Sequence, residues 1–519
     1  MKMLQKLLVL ISIGTIIFFS PKTSAQEPTS PDSSLQDILN GLPGTPLRLQ
    51  DAVQYGLKNA TSVRRAEAAF LAAGGARRHE AGQFDPQLYF NLNYQEQNLP
   101  TASFFAGAAT LSTQQTTSRT GLHMDLPIGT KLDLSLSTTR LATNSSFAFL
   151  NPEYDAFGTF TFRQALLGGF FISARKQLTR SERELEAAEA RYNQQVLAVS
   201  ADVERSYWDL YAAERDFGVQ KIVLGRAERF LKETEIRAKV GLVGPIQMAS
   251  AKTFLAEQQL QFLESQESLD RQSDLLAALI GVRPEAARYL PKDEPPRSFP
   301  ADSIETLVDY AIKNNLDLQA AQKEIDAAEA LARAASWEWL PTVNLVGSLS
   351  GNGLGGDPHT VIFGTDTLIT SQNGSLYDAV HSAARREFPS WSIGVEVNIP
   401  IGFRSGLGDK DRFDAQVLGA EQQYIEQSRS LGNQVRATYR ELANAVQRLD
   451  AARSGVEAAQ EQVRIGLISF QNGRSTAFEL VRLGEDFGVA QRRYSAELVR
   501  AAKAGATLKQ LTSGKYSFK

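Results

Sequence analysis

The chain repeats itself once, and this duplication limits its fold more than any other feature. Leu49 to Tyr94 aligns without a gap on Ile304 to Leu349, at an offset of 255 residues. Val53, Tyr55, Leu57, Lys58, Asn59 and Pro86 meet Val308, Tyr310, Ile312, Lys313, Asn314 and Pro341. Farther on, Val203, Tyr207, Leu210, Gly241 and Leu279 meet Val435, Tyr439, Leu442, Gly473 and Leu511 at an offset of 232. The offset falls by 23, so the first half carries 23 extra residues between Tyr94 and Val203. Two copies make a duplication and not a solenoid array.

Each copy reads as helix, strands, very long helix, turn and return helix. From Ser173 to Lys239 an apolar stripe runs through Leu185, Tyr192, Val196, Val199, Val203, Tyr207, Leu210, Phe217, Leu224 and Leu231. Steps of three, four and seven mark a coiled-coil-like helix face. Its twin is Val435, Tyr439, Leu442, Val446, Leu449, Val456, Val463 and Phe470. No proline interrupts Arg175 to Gly244, or Phe403 to the C-terminus. A helix of about 65 residues reaches on the order of 100 Å. The first repeat is thus expected at 47–281, with strands in 86–165, a long helix at 173–240 and a return helix at 244–280. A proline-rich linker at 282–303 joins it to a second repeat at 304–512. There, strands fall in 342–400, the long helix at 409–471 and the return helix at 475–511, before a tail at 513–519.

The strand candidates alternate with period two. Leu88, Phe90, Leu92 and Tyr94 interleave with Gln87, Asn91 and Asn93, and Ile393, Val395, Val397 and Ile399 with Ser392, Gly394, Glu396 and Asn398. Val343, Leu345 and Leu349 do the same, as do Thr120 to Leu126 and Lys131 to Thr139 around Pro127-Ile128-Gly129-Thr130. One apolar and one polar face fits a membrane barrel with a watery lumen. A soluble sheet would need another core to lie on, and the rest of the chain is narrow helical stripe. Trp337, Trp339, Phe388 and Trp391 near strand ends fit an interfacial belt. Four to six strands cannot close a barrel with a polar interior, and lipid tolerates no open edge. The barrel must be shared between chains, which predicts an obligate oligomer.

The N-terminus supports an envelope address. Lys2 and Lys6, the apolar run Leu7 to Phe19 and the small residues Thr23-Ser24-Ala25 read as a signal peptide over 1–25. A Pro/Ser-rich flexible lead follows at 26–46. No later stretch has the roughly 18 apolar residues of a spanning helix. With no cysteine there is no disulfide, thiolate metal site or acylated N-terminal cysteine. A net charge of -3 argues against nucleic acid.

Taken together, these features resemble the TolC-type outer-membrane efflux family across nearly all of the mature chain. The carriers are the repeat, Phe84-Asp85-Pro86 and Trp339-Leu340-Pro341 ahead of the strands, and two helix tips, Val240-Gly241-Leu242-Val243 and Asn472-Gly473-Arg474-Ser475. Arg163-Gln164-Ala165-Leu166-Leu167-Gly168-Gly169 is similar to the family's strand exit, with Ala165 in place of its proline, while Ile399-Pro400-Ile401-Gly402 keeps it. The resemblance implies a membrane β-barrel joined to a long α-helical barrel. It implies a homotrimer in the outer membrane, each chain giving four strands to a barrel of about 12. The segment around Pro127 departs from that plan and leaves open whether a chain gives four strands or six.

The resemblance also implies partners: a periplasmic adaptor protein at the tips and, through it, an inner-membrane pump of the RND or ABC type. Val240, Gly241, Leu242, Asn472, Gly473 and Arg474 are then the docking tips, and Phe470, Glu479 and Arg482 the periplasmic gate. Arg482 stands where the family carries a second acidic residue, so rings of Glu479 and Arg482 would pair between chains and latch the closed state. The tip glycines are also what any helical hairpin needs.

No catalytic constellation appears. His79 falls on a predicted helix, His123 in a strand, and His359 and His381 in a Gly/Ser-rich loop, none at metal-ligand spacing. Gly351-Asn352-Gly353-Leu354-Gly355-Gly356 lacks the following Lys-Ser/Thr of a phosphate loop and reads as a surface loop. The expected function is passive, gated export without a cofactor, as small-molecule efflux or as protein secretion. The alternative is an envelope coiled-coil scaffold that conducts nothing.

Overall fold

A computed structural model describes residues 33–102, 106–296 and 303–514. The expected signal peptide lies outside these residues. The first half comprises α1 (Ser33–Asn40), β1 (Thr45–Leu47), α2 (Leu49–Asn59), α3 (Thr61–Gly82), β2 (Gln87–Pro100), β3 (Thr110–Asp125), β4 (Thr130–Thr143), β5 (Leu150–Leu167), α4 (Phe171–Ala174), α5 (Lys176–Lys239) and α6 (Pro245–Ile280). The second comprises β6 (Tyr289–Pro291), α7 (Ile304–Asn314), α8 (Leu316–Glu338), β7 (Thr342–Pro358), β8 (Val361–Phe363), β9 (Asp366–Leu368), α9 (Leu376–Arg385), β10 (Phe388–Asn398), α10 (Arg404–Ala443), α11 (Ala445–Gln471) and α12 (Ala477–Leu511). The chain divides into two compact units. The larger holds Thr45–Tyr211, Arg271–Arg448 and the C-terminal segment from Glu497; the smaller holds the residues up to Gly44, Ala212–Asp270 and Leu449–Ala496.

The larger unit is built on one six-stranded sheet in the order β10-β7-β5-β4-β3-β2, antiparallel throughout. The resemblance's plan of four strands per chain therefore does not hold: the hairpin around Pro127 is β3–β4, paired inside the sheet. Residues opposite one another share a face. One row contains Leu88, Leu122, Leu134, Phe160, Leu349 and Trp391. The next row, on the other face, contains Tyr89, Gly121, Ser135, Thr159, Ser350 and Ser390. The polar face also bears ion pairs across strands, Arg163 with Glu396 at 2.5 Å and Lys131 with Asp125 at 3.6 Å. The edge strands β2 and β10 are exposed almost throughout.

Two local expectations fail here. Gly351 to Gly356 is not a surface loop but the outer part of β7. His381 does not sit in a loop but on α9. The two corrections share a cause: α9 lies flat on β7 and β5, with Ala379 and Ala383 packed against Ala156. A Cβ on Gly351 would run into the Ala383 carbonyl, and one on Gly353 into the Ala379 carbonyl. Glycine is needed there for close approach, not for flexibility.

Helices pack below the strands in matching pairs. In the second half, α7 and α8 place Leu307, Val308, Ala311 and Leu318 against Leu431, Val435 and Leu442 of α10 and Leu508 of α12. In the first, Gly56 of α2 approaches Val203 of α5 so closely that a Cβ would clash. Tyr207, fully buried, ties the linker to α5: its hydroxyl donates to the Leu47 carbonyl at 2.9 Å and accepts from the Lys292 and Asp293 N–H groups. Beside it, β1 and β6 pair in parallel. The helix expected unbroken over 409–471 is divided at Asn444. Asn is a weak helix former, and the Arg448 guanidinium takes up the Glu441 carbonyl at 2.8 Å, a local cause of such breaks.

The smaller unit is helical. The flexible reading of 26–46 gives way over its described part: Leu35 of α1 is 1% exposed, seated on Val219 and Val223 of α5. Among the described residues no helix is long and apolar enough to cross a membrane.

Candidate functional site

Both tips are built by the same backbone device. At the first, the Leu242 N–H bonds to the Arg237 carbonyl at 2.9 Å and the Gly241 N–H to the Ala238 carbonyl at 3.0 Å. At the second, Arg474 N–H reaches Ser469 O at 2.9 Å and Gly473 N–H reaches Phe470 O at 3.0 Å. These are paired Schellman bonds, which need a left-handed residue. Gly241 has φ +76 and Gly473 φ +70, and a Cβ on either would meet nothing within 4 Å. Backbone conformation alone therefore requires glycine at both places.

The return helices start with matching caps. Pro245 opens α6 at a position where its missing N–H costs nothing, and the Gln247 side chain accepts from the Gly244 N–H at 3.1 Å. Ahead of α12, the Thr476 hydroxyl oxygen accepts from the Glu479 N–H at 3.3 Å. Glu479 is thus the third residue of a capped helix, where a carboxylate is favoured, and it also accepts from the Ser475 hydroxyl at 3.0 Å.

The two tips differ in chemistry. The first is an apolar knob: Val240 is 66% exposed, Leu242 74% and Ile246 80%. The second is polar, with Asn472, Gly473 and Arg474 all exposed. Just above it, Phe470 is 3% exposed. Its ring lies 5.8 Å from Phe230 and carries the Arg237 guanidinium at 4.3 Å. Arg237 also donates to the Phe470 carbonyl at 3.2 Å and pairs with Glu233 at 2.8 Å. Phe470 therefore fastens one hairpin to the other within the chain. Sequence reasoning missed Arg237, although a basic residue in the last turn before a tip is a readable signal.

Glu479 and Arg482 are both exposed, one helical turn apart, and form no ion pair with each other among the described residues. Beyond them stands an acidic group the sequence reading overlooked. Burial first, and then the neighbouring Glu257 and Asp486, push the Glu485 carboxyl above its ordinary value. A groove of about 660 Å³ adjoins these helices, lined by Val223, Phe230, Phe254 and Leu480 together with Arg226 and Arg464. Among the described residues no cluster of His, Asp or Glu is placed to hold a metal.

A sheet with one apolar and one polar face, joined to paired helical hairpins with exposed tips, defines an outer-membrane channel protein of the export type. A family model described as outer membrane efflux protein matches residues 130–282 and 307–514, and the chain belongs to that family. Its members are non-enzymatic transport proteins of the Gram-negative outer membrane, and this chain takes the efflux-channel role there. Among curated protein sequences none matches. Solved structures share the fold. The Vibrio cholerae outer membrane protein VceC is 16% identical over 90% of this chain and 97% of its own, with a TM-score of 0.62. The open state of the Neisseria gonorrhoeae MtrE outer membrane channel is 17% identical over 91% and 90%, with a TM-score of 0.58. The OprN outer-membrane channel is 18% identical over 93% and 92%, with a TM-score of 0.62.

Proposed function

We propose that three copies of this chain close into one gated duct, through which substrates of an inner-membrane pump pass passively out of the cell. One observation carries the reading: a six-stranded antiparallel sheet, apolar on one face and polar on the other, with both edges unpaired. An even number of alternating strands leaves β2 and β10 running in opposite directions, so β2 of one copy pairs antiparallel with β10 of the next. Lipid requires that pairing.

Three copies at six strands each give an 18-stranded barrel. Strands about 4.8 Å apart and tilted about 40° set its backbone diameter near ~36 Å, against ~24 Å for 12 strands. The helical hairpins of the three copies line the rest of the duct. The exposed Val240, Leu242 and Arg474 are the docking points for a periplasmic adaptor, which links the tips to an RND or ABC pump. At rest, Glu479 of one copy pairs with Arg482 of another and holds the end closed; adaptor binding favours the open state because it binds that state more tightly. Phe470 acts as the buried pin about which each chain's tips are held together.

Single-channel conductance in a planar bilayer tests the gate. Wild type should give small, mostly closed currents, and Glu479→Ala with Arg482→Ala should give long openings. Absence of current from both proteins, each correctly oligomeric in detergent, would replace the channel with a scaffold.

A further inference from the structure

Among the described residues, α9 is a helix lying on the apolar side of the sheet, and the channel reading does not use it. It rests on Gly351, Gly353 and Gly355 of β7 and on Ala156 of β5. These share the face of Phe160, Leu349 and Trp391, since they alternate in step with them along the same strands. On the reading that this face meets lipid, on which the inference rests, α9 sits outside the barrel wall.

Its depth follows from the strand. β7 starts at Thr342, directly after α8. A tilted strand crosses the hydrocarbon in about 9–11 residues, so β7 leaves it close to Gly351–Gly353. The helix runs back along β7, with Ser375 over Gly355, Ala379 over Gly353 and Ala383 over Gly351, so its first turn stands among the headgroups of the outer leaflet and its Arg385 end meets the boundary with the acyl chains.

The side chains α9 turns away from the sheet suit that depth. Opposite Ala379 and Ala383 the helical repeat places Tyr377, His381 and Arg385. Tyr377 is 74% exposed, its ring stacks on His381 at 5.9 Å, and Arg385 is exposed. Aromatic rings with cations are the composition of a membrane-surface helix. Two nearby carboxylates are held by serine donors and keep their charge, and neither pairs with Arg385 or Arg140 among the described residues. Asp378 accepts from the Ser375 N–H and hydroxyl, each at 2.8 Å, and Glu387 accepts from the Ser382 hydroxyl at 2.7 Å. A second cation stands on the same face: Arg140 of β4 is paired with Tyr154, which is paired with Gly355 under the helix.

We propose that α9 and the adjoining wall form a seat for a phosphorylated glycolipid of the outer leaflet, with Arg140 and, at the acyl–headgroup boundary, Arg385 reaching its phosphates and Tyr377 lying against its sugar headgroup. Arginine suits phosphate because its planar fork makes charge-assisted bonds.

The purified oligomer, in nanodiscs of zwitterionic phospholipid, is given diphosphoryl lipid A, dephosphorylated lipid A or phosphatidylglycerol. Glycolipid retained per chain after mild extraction is read by native mass spectrometry. Diphosphoryl lipid A should be retained at least tenfold more than the other two, and Arg385→Gln with Arg140→Gln should abolish the difference. Equal retention of all three by wild type would overturn the seat, and this comparison needs no variant. So would undiminished preference in the double variant. Conductance without lipid A separates the readings: it should be the same in variant and wild type, and its absence in wild type would strike at the channel instead.

Discussion

The two halves of the chain solve one problem differently. Each must bridge an ascending strand, β2 or β7, to a descending one, β5 or β10. The first half inserts a hairpin, β3–β4, that enters the sheet as two further strands. The second inserts a short ladder of β8 and β9 and then α9, which stays out of the sheet and lies upon it. Sequence locates the reason. Around Pro127 the chain alternates Leu with Ser, Thr and Asp, the period that strands require. Around His381 it spaces Ala379 and Ala383 four apart, the period of a helix face. The duplicated sequence thus widens its sheet from one half only.

Four comparisons sharpen or break this contrast. The largest effect should follow from deleting residues 101–149 and joining β2 to β5 by a short turn. That returns each chain to four strands and, with the gate opened by Glu479→Ala and Arg482→Ala, single-channel conductance should fall, by up to about twofold, with the narrower barrel. Deleting α9 with its flanks should leave conductance unchanged, because it contributes no strand. Next comes Phe470→Ala, expected to cost about 3–5 kcal/mol in unfolding of the smaller unit. Its first-half counterpart is only Ala238, so no matching loss exists there.

A smaller difference concerns two glycines that face one another. Gly351→Ala must push α9 off the strand and should cost about 1–3 kcal/mol, read as a lower heat-dissociation temperature. Gly158→Ala, on its cross-strand partner, has nothing within 4 Å to meet and should change little. The smallest effect depends on pH. Burial pushes the Glu214 carboxyl up to about 7, with Arg215 pulling it back down, while the matching residue in the second half is the exposed Val446. The folded state holds that proton more tightly than the unfolded chain. Its contribution to stability is therefore complete below pH 4.5 and is lost as pH rises through 7. Glu214→Gln should raise the Tm at pH 8, by the equivalent of about 1–3 kcal/mol, and leave it unchanged at pH 4.

Much of the fold is legible where a residue answers to its immediate surroundings. Leu88, Phe90, Leu92 and Tyr94 alternate because one side of β2 is apolar and the other polar. Gly241 and Gly473 are visible because the Schellman turn admits almost nothing else. Legibility fails where the partner is distant in sequence. The glycines of β7 resemble a loop until α9 is seen resting on them. Phe470 reads as one more member of a helical stripe, and nothing local announces Phe230 or Arg237 on another helix. Outer strand segments such as Ser112 to Thr117 are hidden for another reason: both of their faces are polar, so no period survives. Glu479 shows a further limit, because a cap and a gate call for the same carboxylate at the same place.

The most direct test uses the absence of cysteine. Asn93→Cys on β2 and Ser392→Cys on β10 are introduced together and bridged with a flexible bis-maleimide in the folded, detergent-solubilised oligomer. Closure of three six-stranded sheets predicts a covalent ladder that ends at the trimer, with either single substitution giving no trimer. A ladder ending at the dimer would mean a 12-stranded barrel, and one that stayed at the monomer would contradict edge-to-edge closure altogether.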